Sequence, residues 1–414
     1  MGSGDALPLQ DAGLTRPARG HHQVALDGLR GVAILLVMLF HAQVPFAKEC
    51  AGPLCAADRA ALALCRSGWC GVDLFFVLSG FLITGILLDA RPERGAGTVT
   101  RYFSSFYARR TLRIFPLHYA LLALFFLVVP ALPHAGSGVI AREIGEYAQI
   151  APDQWWFWAY LGNIYFASHG FAGHGIPDVL WSLAIEEQFY VAWPVAVLLL
   201  PRRALAWTCA ALATLAIAFR LAMAARGMDP TAVFLLTPGR IDGLAIGALV
   251  AIVARSQAAD VVLARSGIAM VVIGALPLAW SAATAGPLDE YSGHMQSFGF
   301  TALALVGGGV VAFVVADPGS AAARLLSMAP LRILGKYAFA LYLFHLSIQP
   351  VLRSVLFRAE AVPTLWGSHL PGLLAFDFML VTTSLGAAWL SWNLFERHFL
   401  RLKDRFPMPT RCVA

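Results

Sequence analysis

An arginine and a histidine separated by ten uncharged residues are the first place to look for chemistry. Arg30 and His41 bracket Gly31 to Phe40, and all ten intervening residues are apolar or glycine. At about 100° per residue, eleven steps make roughly three helical turns plus 20°, so both side chains share one face. They stand about 16 Å apart along the axis, roughly half of a ~30 Å hydrocarbon layer. One helix thus carries a fixed cation near a membrane surface and a titratable imidazole well inside. Ionisable groups at such depth usually face a bundle interior or a wet cavity, which marks a functional site by default. The plain alternative is a histidine that hydrogen-bonds a neighbouring helix.

Four further clusters carry charge. Arg109, Arg110 and Arg113 close a run of six arginines between residues 91 and 113. Arg110 and Arg113 are three apart, neighbours on a helical turn, and can grip one phosphate through their planar forks. Basic residues also flank cytoplasmic helix ends for topological reasons alone. Glu186 and Glu187 start a span near the outer surface, on faces about 100° apart. One of them can orient an imidazole or take a proton, or both can serve the helix dipole. Arg240 and Asp242 sit in the outer half of another span, paired with each other or with Glu186 or Glu187, as a structural ion pair or a substrate contact. His345 lies near mid-span in Tyr342-Leu343-Phe344-His345. His169, His174 and Asp178 have the wrong spacing for a metal site, and none is expected.

The elements that must position these groups are membrane helices. The chain has 414 residues, 59% hydrophobic and 13% charged, with mean hydropathy +0.69. Globular chains are nearer a quarter charged, so a soluble domain is excluded. The net charge of +6 lacks a basic run or recognition motif for nucleic acid. The fold class is all-α, a polytopic bundle of about ten transmembrane helices. Spans are placed near 26–47, 70–89, 114–133, 179–200, 204–225, 232–254, 266–283, 298–316, 334–352 and 371–394. Of the 30 Lys and Arg, 21 then fall on one side, which sets both termini in the cytoplasm. Poor cleavage sites after Ala42 and Ala47 predict an uncleaved first helix. Residues 1–23 form a disordered cytoplasmic tail, 24–400 the membrane domain, and 401–414 a basic cytoplasmic tail. An aromatic outer connection, 134–178, holds Trp155, Trp156 and Trp158 and predicts an interfacial or re-entrant element. No internal repeat or pair of broken helices is visible, which disfavours a repeat-built transporter.

Cys50, Cys55, Cys65 and Cys70 share the first outer loop. No histidine lies among them, and two disulfides suit an oxidising compartment better than zinc. Of three connectivities the nested one, Cys50–Cys70 with Cys55–Cys65, makes a hairpin of the loop. Its role is structural.

Several long motifs occur in order. They are Leu26-Asp27-Gly28-Leu29-Arg30-Gly31 with His41, and Gly71-Val72-Asp73-Leu74-Phe75-Phe76-Val77-Leu78-Ser79-Gly80. Next come Arg110-x-x-Arg113 with Ile114 and Pro116, then Trp181-Ser182-Leu183 through Glu186-Glu187-Gln188-Phe189-Tyr190. Arg240, Asp242 and the Tyr342–His345 segment complete the set. Together they resemble the acyltransferase-3 family of integral-membrane acyltransferases, from about residue 24 to 400. The resemblance implies transfer of an acyl group, commonly acetyl from acetyl-CoA, to a hydroxyl of a sugar or other small acceptor. It makes His41 the central catalytic residue with Arg30 its companion, supported by Glu186 or Glu187. Arg110 and Arg113, with Arg109 beside them, become contacts for the CoA phosphates. Asp73, Arg240, Asp242 and His345 become substrate or structural polar groups. No permanently bound cofactor is implied; acyl-CoA is a cosubstrate. The expected home is a bacterial inner membrane, with lipid and a carbohydrate acceptor as partners. The chain stops shortly after the tenth span and so resembles the stand-alone form. A proton-coupled transporter of a sugar or acylated intermediate is the alternative from another class.

Overall fold

A computed structural model describes residues 24–42, 55–92, 96–131, 145, 148–171, 176–256, 259–286, 288–356, 365 and 367–408. Among these residues there is no strand, and ten helices are long and apolar enough to cross a membrane. A helix satisfies every backbone donor and acceptor internally, so apolar runs of this length have no other stable form in lipid. The bundle is therefore all-α. Its helices are α1 (Val24–His41), α2 (Cys55–Arg66), α3 (Gly71–Asp89), α4 (Ala96–Ala123) and α5 (Gly162–His169). They continue with α6 (Ile176–Leu199), α7 (Arg202–Ala225), α8 (Thr237–Val253), α9 (Ala259–Ala285), α10 (Phe300–Ala316), α11 (Ala329–Leu356) and α12 (Leu370–Ser391).

Two boundaries differ from the sequence reading in ways that move the site. α4 begins at Ala96, so the arginines read as a loop before the third span lie about four turns inside a continuous helix. α6 begins at Ile176, which carries Glu186 about 15 Å from the helix start rather than leaving it at the outer surface. Pro116 and Pro194 are accommodated inside α4 and α6. The aromatic connection does hold short helices, a turn at Trp155–Trp158 and α5. Residues 1–23 and 409–414 lie outside the described residues. Residues 402–405 form a further turn. It packs back on α4, where Arg109 Nη1 donates to the Lys403 carbonyl at 3.1 Å and Ser105 to the Pro407 carbonyl at 3.0 Å.

The nested disulfide pairing is not made. Cys65 and Cys70 carry free thiols. Cys55 and Cys65 stand at the two ends of one helix, ten residues or about 15 Å apart, whereas a bridge needs Cα atoms within about 7 Å. Cys50 lies outside the described residues. The described part, residues 55–66, is one helix rather than two arms of a hairpin.

Close helix crossings rest on small residues. α1 and α11 run side by side in the same direction. A Cβ at Gly31 would meet the Leu331 carbonyl, and one at Gly335 the Asp27 carbonyl. That crossing explains the glycine in the Leu26–Gly31 motif and brings His41 level with His345. Buried ion pairs tie α3, α7 and α8. Arg240 bonds Asp73 at 2.9 Å, and Arg220 bonds Asp242 at 2.9 Å. Arg240 and Asp242 do not pair with each other or with the glutamates: two residues apart on α8, they point to different neighbouring helices.

Candidate active site

A pocket of about 810 Å³, its open mouth included, lies between α1, α3, α4, α6 and α11. Its wall contains Arg30 from α1, Arg110 and Arg113 from α4, Glu186 and Tyr190 from α6, Ser79 and Phe75 from α3, and Tyr342 from α11. Features that the sequence placed near opposite membrane faces thus meet in one cavity.

Each wall residue follows from its helix. Arg110 and Arg113 share a face because they are three apart, and both are half-buried. Neither guanidinium has a hydrogen-bond or ion-pair partner among the described residues; Arg110 lies over the Tyr190 ring, 5.9 Å from its centroid. Arg30 is partly satisfied by Asp27, 2.9 Å away on the preceding turn. Glu186 is held from both sides. Ser79 Oγ donates to one oxygen at 2.8 Å, and Tyr190 OH, one turn along α6, donates to the other at 3.0 Å. Three cations thus face one carboxylate that is already occupied by two hydroxyls. The remaining positive potential, in a partly dry cavity, suits an anionic group with several oxygens.

Glu187 does not line the pocket. It is buried, and its Oε1 has no hydrogen-bond partner among the described residues. Gln188, the third residue of the motif, donates to the Tyr160 carbonyl and to Asn163 Oδ1, both at 3.0 Å. It thereby fastens the turn that holds Tyr160 at φ +55°, a backbone conformation rare outside glycine. Arg109 also lies outside the pocket wall, spent on the carbonyls of Lys403 and Phe406.

His41 sits at the end of α1, one helical face along from Arg30. Its Nδ1 is 2.9 Å from the Val37 carbonyl and 3.2 Å from Nε2 of His345, which is fully buried. Tyr342 links the two regions. It lines the pocket, its hydroxyl is 2.6 Å from Ser182 Oγ, and its ring centroid is 6.0 Å from that of His345. Neither Glu186 nor Glu187 is bonded to His41, so neither orients that imidazole directly.

Asp73, Arg240 and Asp242 belong to the buried core beside the site. Arg240 is 1% exposed and ringed by Phe300, Phe234, Phe76 and Trp181, with the Phe300 centroid 3.9 Å away. Among the described residues no cluster of three or more His, Cys, Asp or Glu is arranged to hold a metal. His169 bonds Ser168 and the Tyr165 carbonyl, and His118 stacks on Tyr160.

Ser79, Tyr190, Tyr342 and Arg220 were not singled out by their sequence. Signals existed for three of them. Tyr190 is four residues from Glu186, Ser79 precedes the glycine of the α3 motif, and Tyr342 is one turn before His345. Arg220 had none beyond being an arginine inside a span.

Comparison with known proteins bears on the same residues. A family model described as an acyltransferase domain matches residues 23–392. The peptidoglycan O-acetyltransferase OatA of Listeria monocytogenes is 26% identical over 391 residues, covering 92% of this chain and 58% of that protein. YrhL of Bacillus subtilis, whose name carries the same activity provisionally, is 29% identical over 351 residues, covering 78% and 48%. The chain thus spans about half the length of the curated relatives it matches. No solved structure matches it. With a family match over nearly all of the chain, including every motif that builds the pocket and the histidine pair, the chain belongs to the acyltransferase-3 family of membrane acyltransferases.

Proposed function

We propose that the protein moves an acyl group, acetyl in the first instance, from acyl-CoA to a hydroxyl of a saccharide such as peptidoglycan. The observation that carries the donor is the pair Arg110 and Arg113, two guanidiniums in the wall of one pocket with no hydrogen-bond or ion-pair partner among the described residues. Arginines that bond no carboxylate or carbonyl of their own chain are available for phosphate, where each contributes a charge-assisted, geometrically matched contact. Arg30 adds a third donor on the helix that carries His41. The ~16 Å between Arg30 and His41 along α1 suits a cosubstrate whose charged end and reacting end are joined by a long flexible arm. The bias of Lys and Arg to one side puts the donor entrance at the cytoplasmic face, with both termini on that side and the acceptor arriving from the His41 end.

At the reacting end His41 acts as general base. Its imidazole takes the proton of the acceptor hydroxyl as the oxygen bonds to the acyl carbon. The carbon–sulfur bond breaks, and the thiolate leaves with that proton as free thiol. A transient acyl-imidazole is the alternative use of the same nitrogen. Glu186 belongs to the donor pocket, where it orders Tyr190 and Ser79 and sets how positive the empty pocket is. The peptidoglycan acceptor rests on the names of the relatives, the carbohydrate class on the family resemblance.

The test is product analysis. Purified protein in detergent, given acetyl-CoA and soluble muropeptides, should yield a muropeptide heavier by one acetyl group on oxygen, labile to mild base. Intact acetyl-CoA after incubation with a broad panel of glycans, despite measurable CoA binding, would contradict the acceptor class. Absence of CoA binding would contradict the donor.

A further inference from the structure

The two histidines form a pair whose proton positions follow from their neighbours. His345 Nδ1 is 3.0 Å from the Leu341 carbonyl, which can only accept, so this nitrogen carries the ring proton. In the neutral ring Nε2 is then a lone pair, and it lies 3.2 Å from His41 Nδ1. The Val37 carbonyl approaches the same His41 nitrogen at 2.9 Å. Two acceptors converge on His41 Nδ1 and no donor does, so the His41 proton sits there. The lone pair of His41 is left on Nε2, to which no described residue donates. Reversing the pair would set a lone pair against a carbonyl oxygen at both Val37 and Leu341. The tautomer of a histidine is set by what its other nitrogen bonds, and here that partner is a second imidazole.

We infer that His345 is a positioning residue for the transfer proposed above: its Nε2 accepts a hydrogen bond from His41 Nδ1–H and so presents His41 Nε2 as the reacting atom. The inference rests on the reading of His41 as catalytic base. During transfer Nε2 gains the hydroxyl proton and later yields it to the departing thiolate. The Nδ1 proton stays in place, shared between Val37 and His345. His345 also fixes the ring plane: the centroids are 4.9 Å apart at an interplanar angle of 59°. It is held in turn by α11, whose close crossing with α1 at Gly31 and Gly335 sets the register of the pair.

The experiment is nitrogen NMR of protein labelled with 15N-histidine in detergent micelles, with His41→Ala to assign the signals. It is paired with steady-state kinetics of His345→Phe and His345→Gln. The wild type should show His41 protonated at Nδ1 and bare at Nε2. His345→Phe keeps the ring volume but no acceptor. It should mix the two tautomers and lower kcat roughly 10- to 100-fold, the scale of losing a partner that orients a ligand histidine. Its donor KM should stay within about twofold, because the phosphate contacts are untouched. His345→Gln, which returns an acceptor oxygen near the same place, should recover part of both. A wild-type His41 protonated at Nε2 would overturn the inference. So would a His345→Phe variant with unchanged tautomer and unchanged kcat. Should the wild type transfer nothing while the tautomer still depends on His345, the positioning stands and the assigned reaction falls.

Discussion

Replacing Arg113 by alanine is expected to raise the KM for the acyl donor by roughly 10- to 150-fold, while Arg109→Ala leaves it unchanged. The difference comes from what already holds each side chain. Arg110 and Arg113 have no hydrogen-bond or ion-pair partner among the described residues, so a bound phosphate gains their full contribution. A hydrogen bond to a charged group contributes ~1.5–3 kcal/mol, and about 1.4 kcal/mol is a factor of ten. Arg30 is 28% exposed and shares its charge with Asp27 at 2.9 Å, so its loss should matter less, about 3- to 10-fold. Arg109 donates to the carbonyls of Lys403 and Phe406, outside the pocket. Its removal loosens the carboxy-terminal turn and spares donor binding. Arg110→Ala with Arg113→Ala should fall short of additivity if one phosphate bridges both. The assay is thiol release against donor concentration at fixed salt, with CoA binding by calorimetry as the companion. A donor KM raised as much by Arg109→Ala as by Arg113→Ala would refute the reasoning, as would an Arg110/Arg113 double variant of normal KM.

Three further outcomes follow from the packing. Asp73→Ala should destabilise the protein by ~3–5 kcal/mol, because it strands a buried Arg240 whose Nε and Nη1 already lack hydrogen-bond partners among the described residues. Asp242→Ala should do less, since Arg220 keeps the Gly239 and Ser297 carbonyls and Thr301; thermal midpoints in detergent rank the two. Gly335→Leu should abolish the monodisperse folded protein, seen by size exclusion, because its side chain has no space against α1 at the Asp27 carbonyl. Burial raises the Glu290 carboxyl, outside the spans, from 4.5 to about 7. The folded state therefore keeps its proton where the unfolded chain has lost it, and this group's contribution to stability declines as pH rises from about 4.5 to about 7. Glu290→Gln should remove that slope and raise the thermal midpoint at pH 8 more than at pH 4.

The sequence revealed the architecture because spans of this length and apolarity admit only helices. Helical spacing also put Arg110 with Arg113, and Arg30 with His41, on shared faces. What it hid was three-dimensional. Arg110 belongs to a helix whose start is polar, so hydropathy placed its boundary too late, and Glu186 was set near the outer surface although ten residues of its helix precede it. Arg240 and Asp242 look like partners because they are two residues apart, yet on a helix that spacing sends side chains apart. The cysteines looked like a disulfide framework because four of them fall in one outer loop with no histidine among them. A straight α2 makes the inner bridge impossible. His345 was visible as an intramembrane histidine, but its pairing with His41 depends on the parallel crossing of α1 and α11, 304 residues apart in the chain.

The most direct measurement is acceptor-dependent thiol release from acetyl-CoA by the purified protein, with folded His41→Ala beside it. Release by the wild type that requires the glycan, and disappears in His41→Ala while CoA binding persists, is the predicted result. Full release by His41→Ala would contradict the account at its centre.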